Sequence, residues 1–374
     1  DSSRDKEGFG HGQGYLYPHA FREHWVGQQY LPAALQGRLF YQPGDQGHER
    51  QIAEQVARRR EEQLAAMVET AVQSPTEVLT TSPTDRARDA WLQRTIANSG
   101  RNLGHLRDRL FELAAVQRHH LILDLNAGTG LLTWEAMRRA PEGGVWAMTA
   151  DAQAAEALRQ QAARLPEVER PVILIGRPDE LDYLLSLRGE GEVRFDRIIG
   201  RNPLTFHDSA SALLRQLANR LLPAGRLVLT QIIPRRSQRL YDLIDWHSEE
   251  LKHRVVAAEE KIYSDPVDSL VNWDTTELEA VLKAAGFTDV QIQVESQVEE
   301  RRITAAHLSR WFGEGLEDGR PSYGQRLRAA GLSPDQVEQV AALYRRHLLD
   351  QSVSWQSSLA YVTAGKSHAK AQRW

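Results

Sequence analysis

A chain of 374 residues with 41% hydrophobic and 26% charged residues has the make-up of a folded globular protein of two or three domains, which excludes disorder, collagen and a long coiled coil for its bulk. The absence of cysteine removes disulfide frameworks, thiolate metal sites and cysteine nucleophiles, and makes a reducing cytoplasm the expected compartment. A formal charge of −4 demands no polyanionic partner, and no apolar run approaches the roughly 18 residues of a membrane span, so no membrane partner is expected.

The chain opens at Asp1 without methionine, on a polar lead rich in glycine, as a piece of a longer polypeptide would. Phe9, Tyr15, Tyr17, Phe21, Trp25, Tyr30, Phe40 and Tyr41 crowd the first sixty positions. So short a stretch cannot bury them alone, and they are expected to pack on something beyond it. Ile52, Val56, Leu64, Val68 and Val72 predict a helix from Glu49 to Val72, ended by Ser74-Pro75-Thr76 and followed by a linker to Asp85. Asp85 caps a second helix bearing Trp91, Ile96, Leu103, Leu106, Leu110 and Leu113, with a break or kink expected near Gly100 and Gly104.

After His120 the periodicity changes. Apolar runs at 121–125, 145–148, 172–175, 195–199 and 226–233 alternate with helical stretches at 131–139, 152–165, 210–222 and 238–256. That alternation predicts βαβ units and an α/β fold of the Rossmann-like kind, a mostly parallel, doubly wound sheet. A helix at 275–285 closed by Gly286, a strand at 290–294, a helical insertion from about 303 to 349 and a final strand at 358–363 complete the reading. The expected division is an aromatic segment at 1–60, a helical spacer at 61–118, the α/β domain at 119–365 and a tail at 366–374.

The turn most suited to a ligand is Asp124-Leu125-Asn126-Ala127-Gly128-Thr129-Gly130. It follows the first strand and opens a helix, where glycine and asparagine allow left-handed backbone and the helix N-terminus offers free N–H groups. The histidine pairs (His19 and His24, His119 and His120, His247 and His253) lack partners at metal-ligand spacing, so no metal site is expected. Arg235, Arg236 and Arg239 follow the fifth strand, at the face where such sheets bind ligands, and read either as a phosphate contact or as a solvated face.

The turn and what surrounds it resemble class I S-adenosylmethionine-dependent methyltransferases over about residues 119–365. Supporting it are Phe195-Asp196 heading the fourth strand, Pro223-Ala224-Gly225 before the fifth, and the run from Leu278 to Gly286-Phe287 before the terminal strand pair. The resemblance implies S-adenosylmethionine as cofactor, with Asp124 orienting the methionine ammonium and the backbone of Asn126, Gly128 and Gly130 covering the amino-acid moiety. Where the family carries acids that accept from the ribose and the adenine amino group, this sequence has Thr149 and Arg177. Asp151 and Asp179, two residues further on in each loop, are the expected substitutes. Asn202-Pro203-Leu204 resembles the Asn-Pro-Pro-aromatic signature of nitrogen-directed members, with leucine for the second proline, and implies Asn202 as the residue that grips a planar amino group.

The amino-terminal segment carries Tyr15-Leu16-Tyr17-Pro18-His19, the run from His24-Trp25 to Tyr30-Leu31-Pro32, Gly37-Arg38-Leu39-Phe40-Tyr41-Gln42-Pro43 and Gly47-His48-Glu49. Over residues 8–60 this resembles the end of the carboxy-terminal domain of the RarA (MgsA) replication-associated recombination AAA+ ATPases. That resemblance implies a parent protein that acts on replication-fork DNA with single-strand-binding protein as partner, as a homo-oligomer, with ATP and magnesium bound in a module preceding Asp1. Two functions stay open at this level: a working methyltransferase carried by its ATPase, or a methyltransferase fold repurposed for interaction or assembly.

Overall fold

The computed structural model describes residues 43, 46–73, 86–204, 210–264, 271–314 and 321–366, with the side chains of 70–98 outside the description. The aromatic positions 9–41, the His19 and His24 pair, the linker from Ser74 to Asp85, and Thr205 lie outside the described residues. The chain divides into two compact units, one ending at Asp108 and the other beginning at Arg109.

In the first unit lie α1 (Gly47–Gln73) and the greater part of α2 (Arg86–Ala114), which continues to the end of its span without the expected break. Gly100 and Gly104 form a notch instead. A Cβ at Gly104 would stand 3.0 Å from the Glu62 carboxyl, and one at Gly100 would stand 3.7 Å from the Glu62 carbonyl oxygen. Each glycine costs a helix about 1 kcal/mol of propensity. Their absent side chains let Glu62 of α1 lie against α2, where it pairs with Arg107 at 2.9 Å. Arg107 is 3% exposed, and burial raises the Glu62 carboxyl against the opposing pull of that guanidinium.

The second unit is a seven-stranded sheet. In chain order it comprises β1 (Leu121–Asp124), α3 (Leu131–Arg139), β2 (Gly144–Thr149), α4 (Ala152–Ala162), β3 (Val172–Ile175), α5 (Leu181–Leu187), β4 (Phe195–Arg201), α6 (Ala210–Arg220), β5 (Leu221–Ile232), α7 (Glu249–Ser264), α8 (Thr275–Ala284), β6 (Phe287–Arg302), α9 (Ala305–Phe312), α10 (Tyr323–Ala329), α11 (Pro334–Leu348) and β7 (Ser352–Lys366). The strand order is β3-β2-β1-β4-β5-β7-β6. The first five strands are parallel, while β7 runs antiparallel to both β5 and β6. This is the Rossmann-like, doubly wound α/β architecture that the alternating runs predict. Ile122, Leu123, Ile198, Ile199, Leu227 and Leu229 are fully buried, as strands covered on both faces require. The order reverses between β1 and β4, which opens a crevice at their carboxyl ends.

Two segments differ from the sequence reading. The expected helix at 238–256 is a short 3₁₀ turn at Leu240–Leu243 followed by α7. The Glu259 carboxylate takes the N–H groups of Leu240 and Tyr241, at 2.7 and 3.2 Å, and so holds this stretch as a turn. Trp246 donates its indole N–H to the Tyr241 carbonyl at 2.9 Å, and Ser248 accepts from Leu251 N at the start of α7.

The terminal strands are also longer than their apolar runs. β6 and β7 pair from Phe287 with Lys366 to Arg302 with Ser352, whereas β5 pairs with β7 only as far as Ile232 with Leu359. The hairpin therefore projects past the carboxyl end of β5, and α9 to α11 sit at its tip. Their core joins Ile303, Leu308, Leu327, Val340 and Tyr344 to Leu240, Val255 and Ile262 from the segment after β5. Trp311 stacks on Trp355, with ring centroids 6.3 Å apart. Among the described residues no helix is long and apolar enough to cross a membrane.

Candidate ligand site at the strand switch point

The turn after β1 is held from beneath by Asp124. Its side chain is fully buried and accepts the Thr133 hydroxyl at 2.8 Å and, more weakly, the Asn126 N–H at 3.4 Å. Burial pushes its carboxyl up to about 7, and the two donors oppose the shift. Leu125 N donates to Ile199 O and Ala127 N to Met148 O, so backbone bonds tie the turn to both β4 and β2. The Asn126 carboxamide donates to the Arg201 carbonyl at 2.9 Å.

Gly128 (φ 50°) and Gly130 (φ 91°) adopt left-handed backbone. Around Gly128 a side chain would find open space, but a Cβ at Gly130 would fall on the Trp134 indole. Trp134 is 8% exposed, and its Nε1 has no hydrogen-bond partner. Sequence reasoning missed Trp134 and Thr133. Their only signal is helical spacing from Gly130, which equally describes core residues.

Thr149 is the last residue of β2, paired with Ile175, and its carbonyl accepts Gly176 N at 3.0 Å. The Thr149 hydroxyl accepts Asp151 N at 3.2 Å. Asp151 is the N-cap of α4, with its carboxylate on Gln153 N at 2.8 Å. After β3, Arg177 pairs with Asp179 at 3.2 Å, and both side chains are largely exposed.

At the end of β4, Asn202 has left-handed φ 49°. Its side-chain oxygen accepts Ile232 N at 2.9 Å, and its own N–H donates to Thr230 O at 2.7 Å. The oxygen that would grip an amino group therefore closes the junction of β4 and β5. Next to it, burial draws the Arg201 guanidinium down to about 10.

The arginines after β5 face acids within the fold. Arg235 reaches Glu277 at 2.6 Å, Arg236 reaches Asp274 at 2.8 Å, and Arg239 reaches Glu260 at 2.7 Å while covering the Tyr263 ring at 3.7 Å. Each of the three thus has a carboxylate partner, and Arg235 and Arg236 remain partly exposed. His120 accepts Gln117 N at Nδ1, and His253 Nδ1 lies 2.7 Å from Glu249 O. Among the described residues no group of acids and histidines is arranged to hold a metal ion.

Residues 1–60 match the family of MgsA AAA+ ATPase C-terminal segments. The MgsA-type segment thus covers the aromatic stretch, and the sheet lies wholly outside it. No curated protein matches the chain. Among solved structures it is similar to the YcgJ protein of Bacillus subtilis, at TM-score 0.43 and 15% identity over 71% of this chain and 99% of that one. It is similar to a putative methyltransferase of Bacillus halodurans, at 0.41 and 12% over 70% and 99%. A third is phosphoethanolamine N-methyltransferase 2 of Haemonchus contortus, in complex with S-adenosylhomocysteine, at 0.37 and 13% over 71% and 53%. The fold assignment rests on the strand order rather than on these likenesses.

S-adenosylmethionine needs acceptors for its ribose hydroxyls and its adenine amino group. The turn that would receive its methionine end is present. At the adenosine end Arg177 has no acceptor and the Thr149 hydroxyl already takes one amide, while Asp151 and Asp179 each hold one partner through Oδ1, Gln153 N and the Arg177 guanidinium.

Proposed function

We propose that the sheet unit is a methyltransferase-fold module that no longer works with S-adenosylmethionine and serves an MgsA-type ATPase as an interaction or assembly module. The observation that carries this reading is that Thr149 and Arg177 stand after β2 and β3 where acids would be expected, while the acids two residues on already serve a helix cap and an ion pair. A hydrogen bond to a charged group contributes about 1.5–3 kcal/mol. Two lost without replacement remove about 3–6 kcal/mol, or roughly two to four decades of affinity. A micromolar cofactor site is thereby reduced to one that cellular cofactor does not fill.

The family match over residues 1–60 supports a role beside an AAA+ ATPase. Replication-fork DNA, single-strand-binding protein and homo-oligomeric assembly belong to that proposal, with ATP hydrolysis assigned to the AAA+ module and not to this chain. The preserved turn from Asp124 to Gly130 favours a second reading, a working methyltransferase of unidentified substrate. Isothermal titration of the chain with S-adenosylmethionine and S-adenosylhomocysteine separates the two. The first reading expects no heat at millimolar ligand. Micromolar binding that Asp124→Ala abolishes would overturn it.

A further inference from the structure

The strand order ends on β6, so one side of this sixteen-residue strand is an edge of the sheet. Its inner side is taken by β7, and among the described residues no strand pairs with its outer side. Just past its end, Ile303 turns both its N–H and its C=O inward, to Gln351 and Asp350. Alternation along an antiparallel ladder then turns the backbone groups of Glu300, Val298, Ser296 and Val294 outward. An edge of this kind is a template for another strand, and sheets blunt it with lysine, proline, bulges, short strands or charge. β6 is long, has neither lysine nor proline, and carries its one irregularity near its start, between Thr288 and Gln291. Beyond that irregularity Val298 stands 65% exposed between the exposed Ser296 and Glu300.

Charge is the remaining safeguard, and the order of the charges admits the strand itself. Laid antiparallel against a second copy about a two-fold axis, β6 centred on Glu295 or Glu299 sets a glutamate against itself, and centred on Gln297 it sets Glu295 against Glu299. Centred on Ser296 it avoids repulsion but makes no ion pair. Centred on Val298 it sets Glu295 against Arg301 twice, Gln297 against Glu299 and Ser296 against Glu300, and no like charges stand opposite. The exposed valine then meets its own copy at the axis. Arg301 is already oriented within its chain, stacked over the Trp355 ring at 4.1 Å and paired with Glu299, so ordering it for a partner costs little side-chain entropy.

We propose that β6 is the interface between two copies of this chain, paired antiparallel about a two-fold axis at Val298 so that the two sheets continue as one. The inference rests on the assembly role proposed above for its purpose, not for its geometry.

The test is sedimentation velocity of the full chain over about a hundredfold range of concentration, repeated with Val298→Lys, with Val298→Glu and with the two variants mixed. A dimer is expected from the parent, weakened roughly tenfold or more in each variant, where like charges meet at the axis, and restored in the mixture, where lysine faces glutamate. Added salt should weaken the parent dimer and leave the variants' order unchanged. Circular dichroism melts report whether the variants fold, and Glu295→Lys, which sets lysine against Arg301, decides the matter if they do not. A parent that stays monomeric overturns the proposal. So does a dimer that the single variants leave unchanged, or one that the mixture fails to restore. Any of these leaves the reading of a module without S-adenosylmethionine standing, whereas micromolar binding of S-adenosylmethionine by a dimer that obeys the variants defeats that reading and not the interface.

Discussion

Replacing Asp124 with asparagine removes a titrating group from the centre of the sheet while keeping its shape. The side chain exposes no surface, and burial lifts its carboxyl from 3.8 to about 7. Between about pH 4 and pH 7 the native protein therefore keeps a proton that the unfolded chain has released, so stability falls as pH rises across that window and levels off above it. A shift of about three units at 1.36 kcal/mol each sets a ceiling near 4 kcal/mol on the cost of the ionised form at pH 8.

Asparagine carries no such cost. It can still accept the Asn126 N–H, and its amide can donate to the Thr133 oxygen if the hydroxyl turns. With some loss from imperfect hydrogen bonds, Asp124→Asn should raise the Tm by roughly 5–10 °C at pH 8 and by far less at pH 4. The assay is thermal unfolding by circular dichroism at half-unit pH steps, read as the difference between variant and parent. A variant destabilised equally at both ends of the range would refute the reasoning, since it would mean that the carboxylate is ionised and favourably held.

Glu259 should behave alike within the helical lobe. Burial raises it to about 7 against the Tyr323 hydroxyl and two backbone amides, so Glu259→Gln should flatten the remaining decline between about pH 4.5 and 7, measured by the same melts and additive with Asp124→Asn. Asn202→Ala loses the bond to Ile232 N and forces alanine into left-handed backbone, for a cost of about 2 kcal/mol in urea unfolding. Asn202→Gly should cost less, and an equal or larger loss for glycine would count against the backbone argument. Gly104→Leu drives a side chain into Glu62 and should destabilise the helix pair by about 1–3 kcal/mol, seen as an early loss of helical signal. Gly104→Ala, whose methyl asks Glu62 to give only slightly, should be milder.

The parallel strands were readable because each is buried on both faces and so reads as an unbroken apolar run. The far halves of β6 and β7 were not. Glu299, Glu300, Arg301 and Arg302 lie on the part of the hairpin beyond β5, where Arg301 pairs with Glu299 and Arg302 with Asp350, so no apolar run marks the strand. Gly100 and Gly104 read as a helix break by propensity, yet the close approach of Glu62 decides their use, and no local pattern announces a partner forty residues away. At the candidate site, the turn at Asp124 to Gly130 announced itself by composition. The allegiance of Asp151 and Asp179 did not, because a carboxylate looks the same in sequence whether it caps a helix, holds an arginine or faces a ligand.

The hairpin that bears the helical lobe gives the molecule a division between inheritance and novelty. Ile303 and the 350–351 pair close the base of the insertion with two backbone bonds, so the chain leaves the sheet and re-enters it at one spot. Nothing between those points has to be threaded through the parallel strands. The head can lengthen, shrink or be exchanged without renegotiating the register below it. Five of the thirteen buried residues of its core, however, are borrowed from the segment after β5, and that loan binds any exchange: a new head must satisfy Leu240, Val255 and Ile262, or uncover them.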